Sequence, residues 1–227
     1  MEIIAHRGNN NHEFKENTLD AILASINKEY VDGVELDIRM TKDKKIVVIH
    51  DYLINEVSDG IGIVKEMTLK QLQKYNFGTK EHPSKITTLE SVLKNITNGK
   101  KIIIEIKEET DDFLKLVNEL DKVLQQYPNR NILLCSFNYK LCQYIKKNFK
   151  YKIGLLIGIK LNVDKFYNNL NFNAINYRHL NKIVFKFKKN YVWTINDEHL
   201  LKKLKKKIIK YNIGIITDKP YLIKELL

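Results

Sequence analysis

Short apolar runs recur along the chain, and most are followed by a stretch in which apolar residues return every three or four positions. The runs are "EIIAH" (2–6), "GVELDI" (33–38), "IVVIH" (46–50), "KIIIEIK" (101–107), "NILLCSF" (131–137), "KIGLLI" (152–157), "FNAINY" (172–177), "NYVWTI" (190–195) and "IGIIT" (213–217). The helix-like segments cover 17–29, 68–75, 88–97, 111–126, 138–148, 180–188, 198–210 and 219–226. Strands that read as continuous apolar runs, without alternation, belong to a sheet covered on both faces. Strand followed by helix, repeated, predicts parallel pairing. With 46–50 set aside as an extra strand, eight βα units remain. That count over 227 residues predicts an α/β protein with a closed (β/α)8 TIM barrel in preference to a doubly wound sheet. Segment 51–86 breaks the rhythm. It holds turn signals such as Asp59-Gly60 and one short helix. It reads as a small insertion after the second βα unit, within a single domain spanning 1–227.

Composition adds less than the net charge of +12 suggests. Arginine occurs only at Arg7, Arg39, Arg130 and Arg178, and lysine supplies the rest of the 39 basic residues. Base readout relies on arginine forks, so no nucleic-acid partner is expected. The abundance of lysine, asparagine, isoleucine and tyrosine fits an AT-rich coding sequence. Cys135 and Cys142, the two cysteines, make no disulfide framework and read as reduced, buried thiols. "MEII" runs directly into His6 without a signal-peptide pattern, and no apolar run approaches the 18 or so residues of a membrane span. A cytoplasmic protein with no transmembrane segment is expected. "KKLKKKIIK" (202–210) leaves one peripheral option open. Leu200, Leu201, Leu204 and Ile208 form a helical stripe among lysines, which serves either to dock a barrel helix or to meet an anionic membrane. Docking is the preferred reading.

The candidate chemistry lies at the strand ends, where barrels of this architecture carry their sites. Glu35 and Asp37 are two residues apart and share one face of their strand, as do Glu105 and Lys107. These acids interrupt runs that otherwise look buried, and a buried acid needs a partner or a metal. Three carboxylates make an oxygen-rich pocket suited to one divalent cation, Mg²⁺ or Ca²⁺ rather than zinc. His6 and His50 end two strands beside this cluster and suit an acid–base pair, because imidazole titrates near neutral pH. His12, His82, His179 and His199 lack such company. Arg7 offers a planar fork that matches a phosphate, and Lys107 adds a second cation. The set reads as phosphoester chemistry, in which positioning and charge neutralisation do most of the work. Trp193 and Phe137, at two further strand ends, are candidates for a pocket wall.

Eight segments in order resemble the glycerophosphodiester phosphodiesterase family: "HRG" (6–8), "ENT" (16–18), "ELDIRMTKD" (35–43), "HD" (50–51), "EIK" (105–107), "SF" (136–137), "WT" (193–194) and "ITDKP" (216–220). The resemblance covers nearly the whole chain. It implies a (β/α)8 barrel that hydrolyses glycerophosphodiesters, small-molecule substrates, to sn-glycerol 3-phosphate and an alcohol. It also implies a cation held by Glu35, Asp37 and Glu105, with His6 as base, His50 as acid and Arg7 on the phosphate. Lys107 and Trp193 match positions lining the family's substrate pocket, and Glu16 and Asn17 would support the first loop. The sequence itself leaves open which histidine is acid, and whether water or a substrate hydroxyl attacks. Departures lie away from these residues: Glu56 and Val57 stand where the family carries an arginine and a threonine, and Lys15 stands where proline is common. The alternative expectation is a lysophospholipase D or sphingomyelinase D-like enzyme, which resembles the same barrel and acts on lipids.

Overall fold

The computed structural model describes residues 1–9, 14–108, 113–158, 170–180 and 189–227. Among these, ten strands form one sheet. They are β1 (Ile3–Ala5), β2 (Gly33–Met40), β3 (Ile46–Val48), β4 (Thr87–Thr88), β5 (Lys101–Ile106), β6 (Ile132–Ser136), β7 (Lys152–Ile157), β8 (Phe172–Asn176), β9 (Asn190–Trp193) and β10 (Gly214–Thr217). The strands β1, β2, β5, β6, β7, β8, β9 and β10 pair in parallel around a closed circuit, as the eight apolar runs predicted. Closure depends on β1. Ile3–Ala5 lie beside Ile215–Thr217 of β10, and Ile4 and Ala5 lie beside Gly33 and Val34 of β2. A Cβ on Gly33 would sit 2.5 Å from the Lys101 carbonyl oxygen, so only glycine lets β2 start this close to β5.

The described helices are α1 (Leu19–Ile26), α2 (Leu69–Leu72), α3 (Leu89–Asn95), α4 (Leu114–Gln125), α5 (Tyr139–Asn148), α6 (Glu198–Lys210) and α7 (Pro220–Leu226). Several start at a polar residue that satisfies an orphan N–H: Thr18, Thr68, Thr88, Asn138 and Asp197 each accept a hydrogen bond from the first turn. The helix predicted over 180–188 lies, apart from Leu180, outside the described residues. On α6, Leu201, Leu204 and Ile208 are buried in the main core, so the predicted stripe docks the helix onto the barrel. No described helix is long and apolar enough to cross a membrane.

Two apolar layers follow from strand parity. Outward residues such as Val34, Leu36, Ile102 and Ile104 meet the helices. Ile4, Ile103, Leu133, Cys135, Leu156, Phe172, Ala174, Tyr191 and Ile216 fill the interior. At the amino ends of the strands, Glu2 closes the interior with Lys101 Nζ at 2.6 Å, while the Tyr191 hydroxyl donates to its other oxygen at 2.8 Å. Continuing inward parity toward the carboxyl ends gives Glu35, Asp37, Glu105 and Trp193, so the upper interior turns polar.

The strand β2 outruns the barrel. Its Ile38–Met40 pair antiparallel with β3, and β3 pairs with β4. The predicted extra strand therefore stands outside the circuit. Segment 51–86 follows it and precedes α3, on the carboxyl side of the strands. It gathers around a small apolar cluster of its own: Val47, Ile49, Ile54, Val64, Leu72, Phe77 and Ile86.

Candidate active site

The turn after β1 builds the first corner. His6–Gly8 forms one tight turn in which Arg7 (φ 52°) and Gly8 (φ 68°) adopt left-handed backbone. Gly8 is required there twice over: its φ is positive, and a Cβ would lie 2.7 Å from Ile22 Cγ1 and 2.8 Å from the Ile22 backbone of α1. Ser25 Oγ donates to the Gly8 carbonyl at 2.7 Å and holds the turn against that helix. The turn aims Arg7 into the acidic cluster. Its backbone N–H donates to Glu35 Oε2 at 3.1 Å, Nη1 donates to Glu16 Oε1, and Nε lies 3.2 Å from Asp37 Oδ2. Asn17 Nδ2 donates to the same Asp37 oxygen at 3.0 Å. Glu16 and Asn17 thus brace the first loop.

Glu35, Asp37 and Glu105 come together as their parity required. Adjacent register pairs Asp37 with Glu105 across β2 and β5. Each of the three acids offers one oxygen within 4.8 Å of the others, a spacing that could hold a metal ion. Lys107 Nζ lies 2.6 Å from Glu105 Oε1 and 3.3 Å from Asp37 Oδ1. The donor set fits a hard cation, because all the ligand atoms are carboxylate oxygens.

The electrostatics of the three acids differ. Burial, reinforced by the Asp37 carboxylate, pushes Glu35 up to about 7. The same two causes push Glu105 up to about 8. Asp37 is fully buried as well, yet Lys107 and Arg7 outweigh desolvation and hold its carboxyl below the usual value. Both cations are correspondingly shifted up. Burial opposes their charge, but Asp37 with Glu16 overcomes it for Arg7, and Asp37 with Glu105 for Lys107.

The two histidines approach the same cavity from different elements. His6 leaves the end of β1, with Nε2 3.9 Å from Glu35 Oε2. His50 comes from the chain just past β3. Arg39 on β2 fixes it by donating from Nε to the His50 carbonyl at 2.9 Å and from Nη1 to the Lys107 carbonyl at 3.2 Å. Burial lowers the affinity of both rings for a proton. At His6 the Asp218 hydrogen bond and the Glu35 charge reverse that, and its pKa is raised. At His50, burial with Arg7 and Lys107 prevails over Asp37 and Asp51, and its pKa is lowered.

The cavity is lined by His6, Arg7, Glu35, Glu105, Lys107 and His50, with Phe137, Trp193, Cys135, Leu156 and Ile216 forming an apolar side. Asp37 lies just behind that lining. Trp193 donates from Nε1 to the Ala174 carbonyl at 3.0 Å and meets Phe137 edge to face at 5.8 Å. Every predicted site residue is therefore assembled at one barrel mouth. Cys135 and Cys142 are free and buried, and desolvation raises both thiols above their ordinary value. Among the other histidines, His82 packs on Phe14, His179 donates from Nε2 to the Gly158 carbonyl, and His12 lies outside the described residues.

Sequence reasoning found Asp51 and Asp218 at strand ends but gave them no role, and the structure places both behind the imidazoles. Asp218 Oδ1 is 2.7 Å from His6 Nδ1, and Asp51 Oδ1 is 2.8 Å from His50 Nδ1. The signals were present: Asp51 adjoins its histidine, and Asp218 directly follows a barrel strand.

Cleaving a phosphodiester takes neutralisation of the anion and proton traffic at two oxygens, and this mouth concentrates the groups for both. In class the molecule is a TIM-barrel phosphodiesterase. The glycerophosphoryl diester phosphodiesterase family model matches residues 6–222, and the chain belongs to that family. YhdW of Bacillus subtilis is 30% identical over 99% of this chain and 98% of its own length. A glycerophosphodiester phosphodiesterase of Caldanaerobacter subterraneus is 31% identical over 96% of this chain and 94% of its own. Among solved structures, an Oleispira antarctica phosphodiesterase in complex with the product sn-glycerol-3-phosphate superposes with a TM-score of 0.85. It is 22% identical and covers 100% of this chain and 96% of its own.

Proposed function

We propose that this enzyme hydrolyses glycerophosphodiesters to sn-glycerol 3-phosphate and an alcohol, using His6 and His50 as its acid–base pair. The observation that carries the reading is the meeting, at one barrel mouth, of two imidazoles with three carboxylates that each offer an oxygen within 4.8 Å of the others. Glu35, Asp37 and Glu105 would hold one Mg²⁺ or Ca²⁺, which neutralises charge on the phosphate oxygens when bound. Arg7 and Lys107 bind the same anion from the side. Phe137 and Trp193 form the apolar wall against which the carbon skeleton rests. His6 removes a proton from the attacking oxygen as it bonds to phosphorus. That oxygen is water, or the substrate's own 2-hydroxyl, in which case water then opens the cyclic phosphate to give glycerol 3-phosphate. His50 gives a proton to the leaving alcohol oxygen as its bond to phosphorus breaks. The product bound to the Oleispira relative, on the same barrel, supports sn-glycerol 3-phosphate as the product here.

The test is release of glycerol 3-phosphate from several glycerophosphodiesters, with Mg²⁺, Ca²⁺ or EDTA, beside a lysolipid arm. Turnover of glycerophosphocholine that EDTA abolishes and either cation restores is the expected result. Cleavage of the lysolipid alone would transfer the reading to the lipid-directed alternative.

A further inference from the structure

Both histidines turn Nδ1 toward a carboxylate, but the two carboxylates are held very differently. Asp51 is the sequence neighbour of His50, and its side chain is 37% exposed. Asp218 reaches His6 from 212 residues further along the chain and is itself fixed by Asn196. Asn196 Nδ2 donates to Asp218 Oδ2, and the Asp218 backbone N–H donates to Asn196 Oδ1 at 2.9 Å. Thr217 Oγ1 donates to that same Asn196 oxygen at 3.1 Å. Two donors converge on one end of the Asn196 amide, so its NH₂ end must face Asp218. The remaining Asp218 oxygen, Oδ1, points at His6 Nδ1.

We infer that Asp218, oriented by Asn196, is a positioning residue that keeps the proton of neutral His6 on Nδ1 and leaves the Nε2 lone pair facing the cavity. An ionised carboxylate only accepts, so the 2.7 Å contact requires the hydrogen on Nδ1. Neutral imidazole carries one N–H, and Nε2 is then the acceptor. Asp218 exchanges no proton; it selects a tautomer and a ring orientation. The inference rests on the acid–base reading of His6.

The network makes an unusual demand on substitutions. In Asp218→Asn, Asn196 Nδ2 still needs an acceptor, so the new amide turns its oxygen toward Asn196 and its NH₂ toward His6. That donor forces the proton onto Nε2, the wrong nitrogen. Changing Asn196→Asp in the same protein reverses the new amide, because the carboxylate then standing at position 196 accepts from it. The amide oxygen then faces His6, and the Nδ1–H tautomer returns. The experiment compares the parent, D218N, N196D/D218N and H6A, each with Mg²⁺ present. Steady-state kinetics are read beside ¹⁵N imidazole shifts, recorded at a pH where the ring is neutral. D218N should lose about 10²-fold or more in kcat with KM nearly unchanged, by analogy with other tautomer-fixing carboxylates. Its spectrum should show Nε2–H, and the double variant should recover kcat at least about tenfold together with Nδ1–H. D218N with an unchanged tautomer, or a double variant no better than D218N, overturns the inference. H6A with ordinary turnover would instead end the acid–base reading of His6, while the spectra still decide whether Asp218 sets the tautomer.

Discussion

At the scale of single residues, the site separates groups that meet substrate from groups that hold them. His6→Ala and His50→Ala should each cost about 10²–10⁴ in kcat, the usual worth of a placed acid or base. Stopped assays on folded protein check this, and near-normal turnover by either variant would remove that histidine from the chemistry. Gly8→Ala tests the corner beneath His6. A left-handed φ of 68° and a 2.8 Å approach to the Ile22 backbone should together cost at least about 1–3 kcal/mol, seen as a lower denaturant midpoint. Parity made Glu35, Asp37, Glu105 and Lys107 legible in the sequence, because a period of two fixes which face a strand residue takes. It could not reveal Asp218 as the partner of His6. Their contact depends on how the first and last strands are placed in space, and on an Asn196 side chain that no periodicity marks.

At the scale of elements, the longest apolar runs were read best. The strands β5 and β7 and helix α6 fall within a residue of their predicted limits. The two-residue β4 was not anticipated, since Thr87-Thr88 has no room for a pattern and gains strand geometry only by pairing with β3. Helix α2 begins where expected, at the Thr68/Gln71 capping box, but stops at Leu72, short of the predicted 75. Beyond it, Asp59 takes the Asn76 N–H, and the Asn76 side chain takes those of Gly78 and Ser84. These local bonds outcompete another helical turn. Segment 51–86 is held by the cluster around Leu72, which includes Val47 of β3 and Ile49, the residue before His50. Leu72→Ala should therefore loosen the support of a proposed catalytic group without opening the barrel. The expected cost is about 2–5 kcal/mol, confined to this cluster. Hydrogen exchange should show lost protection across 52–77 with β5 and β6 unchanged, and kcat should fall. Equal loss of protection in the barrel strands would contradict this separation.

At the scale of the whole molecule, the cluster of acids links cation binding to pH. Glu35 and Glu105 titrate near 7 and 8 in the fold, above their ordinary value of 4.5. For carboxyls raised in this way, the contribution to stability is complete below about pH 4.5. It drains away as pH rises through 7 and 8. The cation-free protein should therefore lose stability over that window, and Mg²⁺ or Ca²⁺ should restore it. Because a bound cation needs ionised ligands, binding at pH 7 should expel on the order of one proton. Titration calorimetry in two buffers of unlike ionisation heat measures that release, and a buffer-independent heat would argue against binding by these acids. The barrel's seam carries a further consequence. The strand β1 lies between β2 and β10, and His6 takes its orienting carboxylate from Asp218. On the ribosome, the corner of the reaction centre made first must wait, one flank of its strand bare, for a partner made 212 residues later. Competence to split an ester thus arrives abruptly, once the closing strand has emerged, instead of growing as the polypeptide lengthens.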